Sequence, residues 1–112
     1  MGNEAIRQMA TTFRAFALER PSLAAATFRS PRTDCVEWRR EGELLGAVAI
    51  GVFKSAGLPA DQAALALRIL RAIVRGFVLH EMSASFMDDV DYDENYATTV
   101  NVFIHGLEAL PN

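Results

Sequence analysis

From Leu65 to Glu81 the chain reads as a helix with almost no polar face. Before His80 its only polar residues are Arg68, Arg71 and Arg75. These are spaced i, i+3, i+7 and so are confined to one narrow stripe. Past Arg75 the stripe gives way to Val78, Leu79 and Met82. A helix apolar nearly all round needs cover on every side. A chain of 112 residues covers one side readily and all sides seldom. The simplest remedy is a second copy, so the pattern points to a helical homodimer before it points to any chemistry.

Length bounds a single domain, residues 1–112, which buries roughly 65% of the unfolded surface. The net charge of −3 gives no electrostatic footprint for nucleic acid. A single cysteine, Cys35, excludes an internal disulfide and fits a reducing, cytoplasmic setting. No uncharged apolar stretch approaches ~18 residues, so no membrane span is expected. The start "MGNEAIRQ" lacks the basic and apolar regions of a signal peptide. It also fails the myristoylation pattern, because Ile6 stands where Ser or Thr is needed.

Five helices and no strand are expected, since no segment alternates with period two. The first runs from about Glu4 to Glu19 with Asn3 as N-cap. Ile6, Met9, Ala10, Phe13, Phe16 and Ala17 share its buried face, with Arg7, Thr11 and Arg14 opposite. Pro21 ends it. A short second helix fits between Pro21 and Phe28. The third begins at the capping box Asp34 to Glu37 and runs to about Ser55, with Gly57 suited to the C′ position. Its stretch from Leu44 to Phe53 is almost wholly apolar and is expected to be buried, with Gly46 and Gly51 marking a close approach. The fourth helix spans about Ala60 to Ser85. The fifth starts at a second capping box, Asp91 to Glu94, and ends near Leu110. Its solvent stripe is Glu94, Thr98, Asn101, His105 and Glu108.

No catalytic motif stands out. The acidic run Asp89, Asp91, Asp93 matches the start of an EF-hand loop, but Glu94 and Val100 occupy the positions that need Gly and Glu. The plain reading is a solvated turn feeding a helix N-terminus, where carboxylates are favourable. His105 lies on the solvent stripe. His80 and Glu81 fall on apolar facets, where satisfied core or interface groups are the expectation and polar anchors of a ligand pocket the alternative. No zinc spacing, nucleotide loop or nucleophile elbow is present. No enzyme activity, metal or cofactor is expected, and Cys35 is a weak nucleophile candidate with no histidine placed beside it by sequence.

Three passages carry a family resemblance: "FRAFALERPSLAAATF" from Phe13, "ALRILRAIVRGFVLHE" from Ala66 and "DVDYDENYATTVNVFIHGLEAL" from Asp89. In order and spacing they resemble the C-terminal ligand-binding and dimerisation domain of TetR-family transcriptional regulators, closest to the subgroup named for a W-H-G motif. Val74, Arg75 and Gly76 stand at that motif, so the glycine is kept and the histidine is replaced. The family's DNA-reading helix-turn-helix does not fit in the two residues ahead of Asn3. This implies either a sensor part cut from a longer chain, which the Met1-Gly2 start favours, or a sensor domain alone. In either case no operator binding by these 112 residues is expected.

The resemblance implies an effector-sensing domain. The last two helices would pair with a partner's as a four-helix bundle, and the other helices would enclose a small, largely apolar effector. That pocket is expected between the first, third and fourth helices, lined by Phe13, Phe16, Trp38, Leu45, Val48, Leu70, Val74 and Phe77, with Glu81 as a polar anchor. The dimer face follows from the residues themselves. On the fifth helix Thr99, Val102, Phe103, Gly106 and Leu110 share a facet beside the core stripe of Tyr96, Val100, Ile104 and Leu107. On the fourth, Ile69, Ile73, Gly76, His80 and Ala84 form a similar spare facet. The rival expectation is an interaction module that dimerises without any ligand cavity.

Overall fold

The computed structural model describes residues 2–19, 36–83 and 89–111, without the side chains of 36–43. Four α-helices account for most of them: α1 (Gly2–Glu19), α2 (Val36–Ser55), α3 (Ala60–Met82) and α4 (Tyr92–Gly106), followed by a 3-10 turn at Leu107–Ala109. No strand occurs among the described residues. The fold is thus all-α, as the periodicity predicts. The expected second helix, the Asp34 capping box and Ala84 lie outside the described residues.

The helix ends follow local chemistry. Asp91 is the N-cap of α4, its carboxylate accepting the Glu94 backbone N–H at 3.1 Å, half of the expected capping box. Gly57 closes α2 with φ +105°. Its N–H donates to the Lys54 carbonyl at 3.0 Å while Leu58 N–H reaches the Phe53 carbonyl at 3.2 Å. This pair of bonds is the Schellman arrangement, which needs a residue without a Cβ at that position. Pro59 then caps α3 without any side-chain bond, its fixed φ suiting a helix entry.

The start of α1 differs from expectation. The helix begins at Gly2, so Asn3 lies inside its first turn rather than capping it. Packing supplies the reason: a Cβ on Gly2 would sit 2.6 Å from Ala56 Cα, so the first turn is pressed against the end of α2.

The core is assembled around α1. Its Ile6, Ala10 and Ala17 are buried against Ala49 and Phe53 of α2, Leu70, Val74 and Phe77 of α3, and Tyr96, Val100 and Ile104 of α4. Alanines on α1 let three neighbours approach it, and α1 packs against each of the other helices. By contrast α3 and α4 touch each other less than either touches α1.

Burial of α2 departs from the sequence reading. Ala49 and Phe53 are buried, but Leu44, Leu45 and Val48 are 65%, 58% and 60% exposed. One stripe of α2 suffices to dock on α1 and α3, which leaves its opposite side open. Among the described residues the glycines there make no close approach, since a Cβ at Gly46 or Gly51 would meet nothing within 4 Å.

Candidate functional site

Two places combine apolar surface with convergent side chains. The first is a cleft between α3 and α4. On α4, Tyr96, Val100 and Ile104 turn inward, and Tyr96 Oη donates to the Ala10 carbonyl at 2.6 Å. With that stripe committed to the core, the next facet of α4 faces α3 across a gap of about 510 Å³. Ile69 and Ile73 form one wall. Thr99, Val102, Phe103, Gly106, Leu107 and Leu110 form the other, with Glu94, Asn95 and Thr98 along the polar edge. Phe103 bridges core and cleft: it is buried, and its ring meets Phe53 edge-on at 6.0 Å. Val102, at 68% exposure, is the most open large apolar side chain of the described residues.

The expected interface residues Ile69, Ile73, Thr99, Val102, Phe103, Gly106 and Leu110 therefore come together around one cleft. Gly76 and His80 lie farther along α3 and do not line it. The cleft is open at Gly106, where a Cβ would meet nothing within 4 Å among the described residues. Sequence reasoning missed Glu94, Asn95 and Thr98 as part of this edge. Their i, i+4 relation to Thr98, Thr99 and Val102 was the available signal.

The expected effector-pocket residues are placed differently. Leu70, Val74 and Phe77 are buried core, Phe13 and Phe16 are half-buried against it, and Leu45 and Val48 are exposed. With no free surface, Leu70 and Val74 would meet a ligand only if the helices moved apart. Trp38 has its backbone in α2, and its side chain lies outside the described residues.

Glu81 belongs to the second place, a junction built on Arg14. Arg14 Nε donates to Glu81 Oε1 at 3.0 Å and Nη2 to Oε2 at 2.9 Å, while Nη1 donates to Asp93 Oδ1 at 2.8 Å. The fork geometry of guanidinium suits such a bidentate pair. The guanidinium carbon also lies 5.7 Å from the Phe77 ring centre and 5.2 Å from that of Tyr96, within cation–π range. The hydrogen bond to Glu81, which outweighs burial, raises the arginine pKa and holds its charge firmly. Arg14 was expected opposite the buried face of α1. Its long side chain instead reaches back over the aromatic rings, leaving only 13% of it exposed. Both oxygens of Glu81 are engaged, so Glu81 reads as a satisfied polar group. Burial pushes the Tyr96 hydroxyl pKa up to about 12, against a smaller downward pull from Arg14.

The model of the tetracyclin repressor-like C-terminal domain matches residues 6–103 of the sequence. The chain belongs to that family. No curated protein and no solved structure matches it. The matched span of this tetracyclin repressor-like domain holds the whole Arg14 junction and most of the cleft, and stops short of Gly106 and Leu110. Among the described residues of the domain no helix is long and apolar enough to cross a membrane. Nor do three or more His, Cys, Asp or Glu side chains gather where they could hold a metal.

Proposed function

We propose that the chain is the effector-sensing and dimerisation domain of a TetR-like transcriptional regulator. It works in the cytoplasm as a homodimer, without enzymatic activity, and does not bind DNA through these residues. The family match over residues 6–103 carries the reading. The α3–α4 cleft supports the dimer half of it. Two helices and the turn after the second present Ile69, Ile73, Val102 and Leu110 to the outside along one continuous face, and a monomer gains nothing by leaving such a face wet. A two-fold copy makes the face self-complementary. Phe13, Phe16, Leu45 and Val48 are the accessible part of the effector-binding set, and their apolar character favours a small, largely apolar ligand. Placement in the W-H-G subgroup rests on Gly76 following Val74 and Arg75.

Sedimentation at micromolar concentration tests the dimer, and a monomer at every concentration would remove it. A thermal-shift screen with aromatic and lipophilic compounds tests the effector. The exposure of Leu45 and Val48 favours a second reading, an interaction module without a ligand. Dimerisation without stabilisation by any compound would establish that reading instead.

A further inference from the structure

We propose that Arg14 is the positioning residue that fixes the spread of α3 against α4, and through it the width of the cleft between them. The two helices contact each other less than either contacts α1, so the neighbours they share, α1 among them, bear on their mutual angle. Arg14 grips both from α1. Its fork takes Glu81, in the last turn of α3, and its remaining arm takes Asp93, in the first turn of α4. The rings stacked on it are likewise one from each helix, Phe77 of α3 and Tyr96 of α4, and these meet edge-on at 4.9 Å.

The grip lies close to the cleft walls. Ile73 stands one helical turn before Phe77, and Glu94 and Asn95 directly follow Asp93. Displacement of either helix end at the junction is therefore carried into the cleft by rigid helices only a turn away. Arg7 also links α1 to α4, but through an exposed bond to Asn101 at 3.0 Å with no arm on α3. It cannot set the spread.

The test reads the spread within one chain. Spin labels are placed on cysteines introduced by Met82→Cys and Ala97→Cys, both exposed and outside the cleft, with Cys35 replaced by serine. Labelled chain is diluted in excess unlabelled chain so that only intrachain pairs are measured. Arg14→Met, which keeps the length and ring contact but loses the fork, should shift or broaden the distance distribution by about 1–2 Å, the size of a helix shift between packed elements. Arg14→Lys, able to reach one carboxylate but not to fork, should fall between. Arg7→Met, which loses an exposed bond to α4, should leave the peak where it is.

A sharp, unmoved peak in a folded Arg14→Met protein would overturn the proposal. If that variant fails to fold, Glu81→Gln decides instead: widening supports the grip, and an unmoved peak overturns it. The link from cleft width to pairing rests on the proposed dimer. Arg14→Met should weaken dimerisation at least tenfold by sedimentation. A wild-type monomer would remove that reading while the distance measurement still judged Arg14.

Discussion

Both α4 and the second half of α2 are rich in apolar residues, yet the protein treats them differently. On α4 every residue of the polar stripe from Glu94 to His105 is exposed and Tyr96, Val100 and Ile104 are buried. On α2 the buried residues Ala49 and Phe53 sit beside exposed Leu44, Leu45 and Val48 with no polar residue to mark the boundary. Periodicity thus identifies a buried face when polar residues mark the other side. In an unbroken apolar run it gives no basis for choosing among facets, and the neighbours decide. The lesson carries over to α3, whose Leu79 and Met82 are exposed although nothing in the sequence sets them apart from buried Val78.

Contrasting substitutions sharpen the comparison. Leu70→Ala, at a position with no exposed surface, should cost about 2–5 kcal/mol, measured by urea unfolding. A loss below about 1 kcal/mol would mean that α3 packs less tightly than its burial indicates.

Gly106→Arg probes the outer facet of α4. Nothing among the described residues crowds the site, so the variant should fold normally and sediment as a monomer at micromolar concentration, because its charge would otherwise be buried without a partner. A stable dimer would move the interface elsewhere, and the open face of α2 is then the first alternative.

The inner facet of α4 has a pH signature. The folded pKa of Tyr96, about 12, lies above its ordinary value of 10.0, so the neutral phenol is the form the fold favours. Its contribution is intact below pH ~10 and is lost as pH rises toward the folded pKa, by about 2–3 kcal/mol in all. Tyr96→Phe should flatten this alkaline fall while costing about 1 kcal/mol at neutral pH for the lost bond to Ala10. An unchanged alkaline profile would put the titrating group elsewhere.

Asp91→Ala should cost about 1 kcal/mol through the lost cap. Smallest of all, Leu45→Ser should change stability by under ~0.5 kcal/mol while improving solubility. A large loss in Leu45→Ser would show that α2's open face is covered in solution.

How much was legible follows from the same physics. Helix ends governed by local chemistry, Asp91 and Gly57, could be read directly because cap and turn depend on a few neighbouring residues. The facet of α4 around Val102 could be read because polar residues delimit it. Asn3 misled because tertiary contact at Ala56 extends α1 beyond its local cap signal. Arg14 was invisible as a junction. A single arginine on a polar stripe looks the same whether it faces water or folds back over two rings, and its partners lie 67 and 79 residues away. Leu45 and Val48 show the converse, apolar residues that the expected pocket claimed and that this chain leaves open.

The contact between Gly2 and Ala56 bears on how the domain joins to anything ahead of it. Gly2→Ala would drive a methyl group into backbone at 2.6 Å, at an expected cost of about 1–3 kcal/mol in thermal unfolding, and a neutral result would show that the two ends are loosely apposed. Because the glycine leaves no side chain to act as a cushion, the leading end of α1 and the corner from Phe53 to Leu58 behave as one mechanical part. Polypeptide attached upstream would leave the domain at that corner, and a tilt of α2 against α3 would reach it as a tilt of its own anchor.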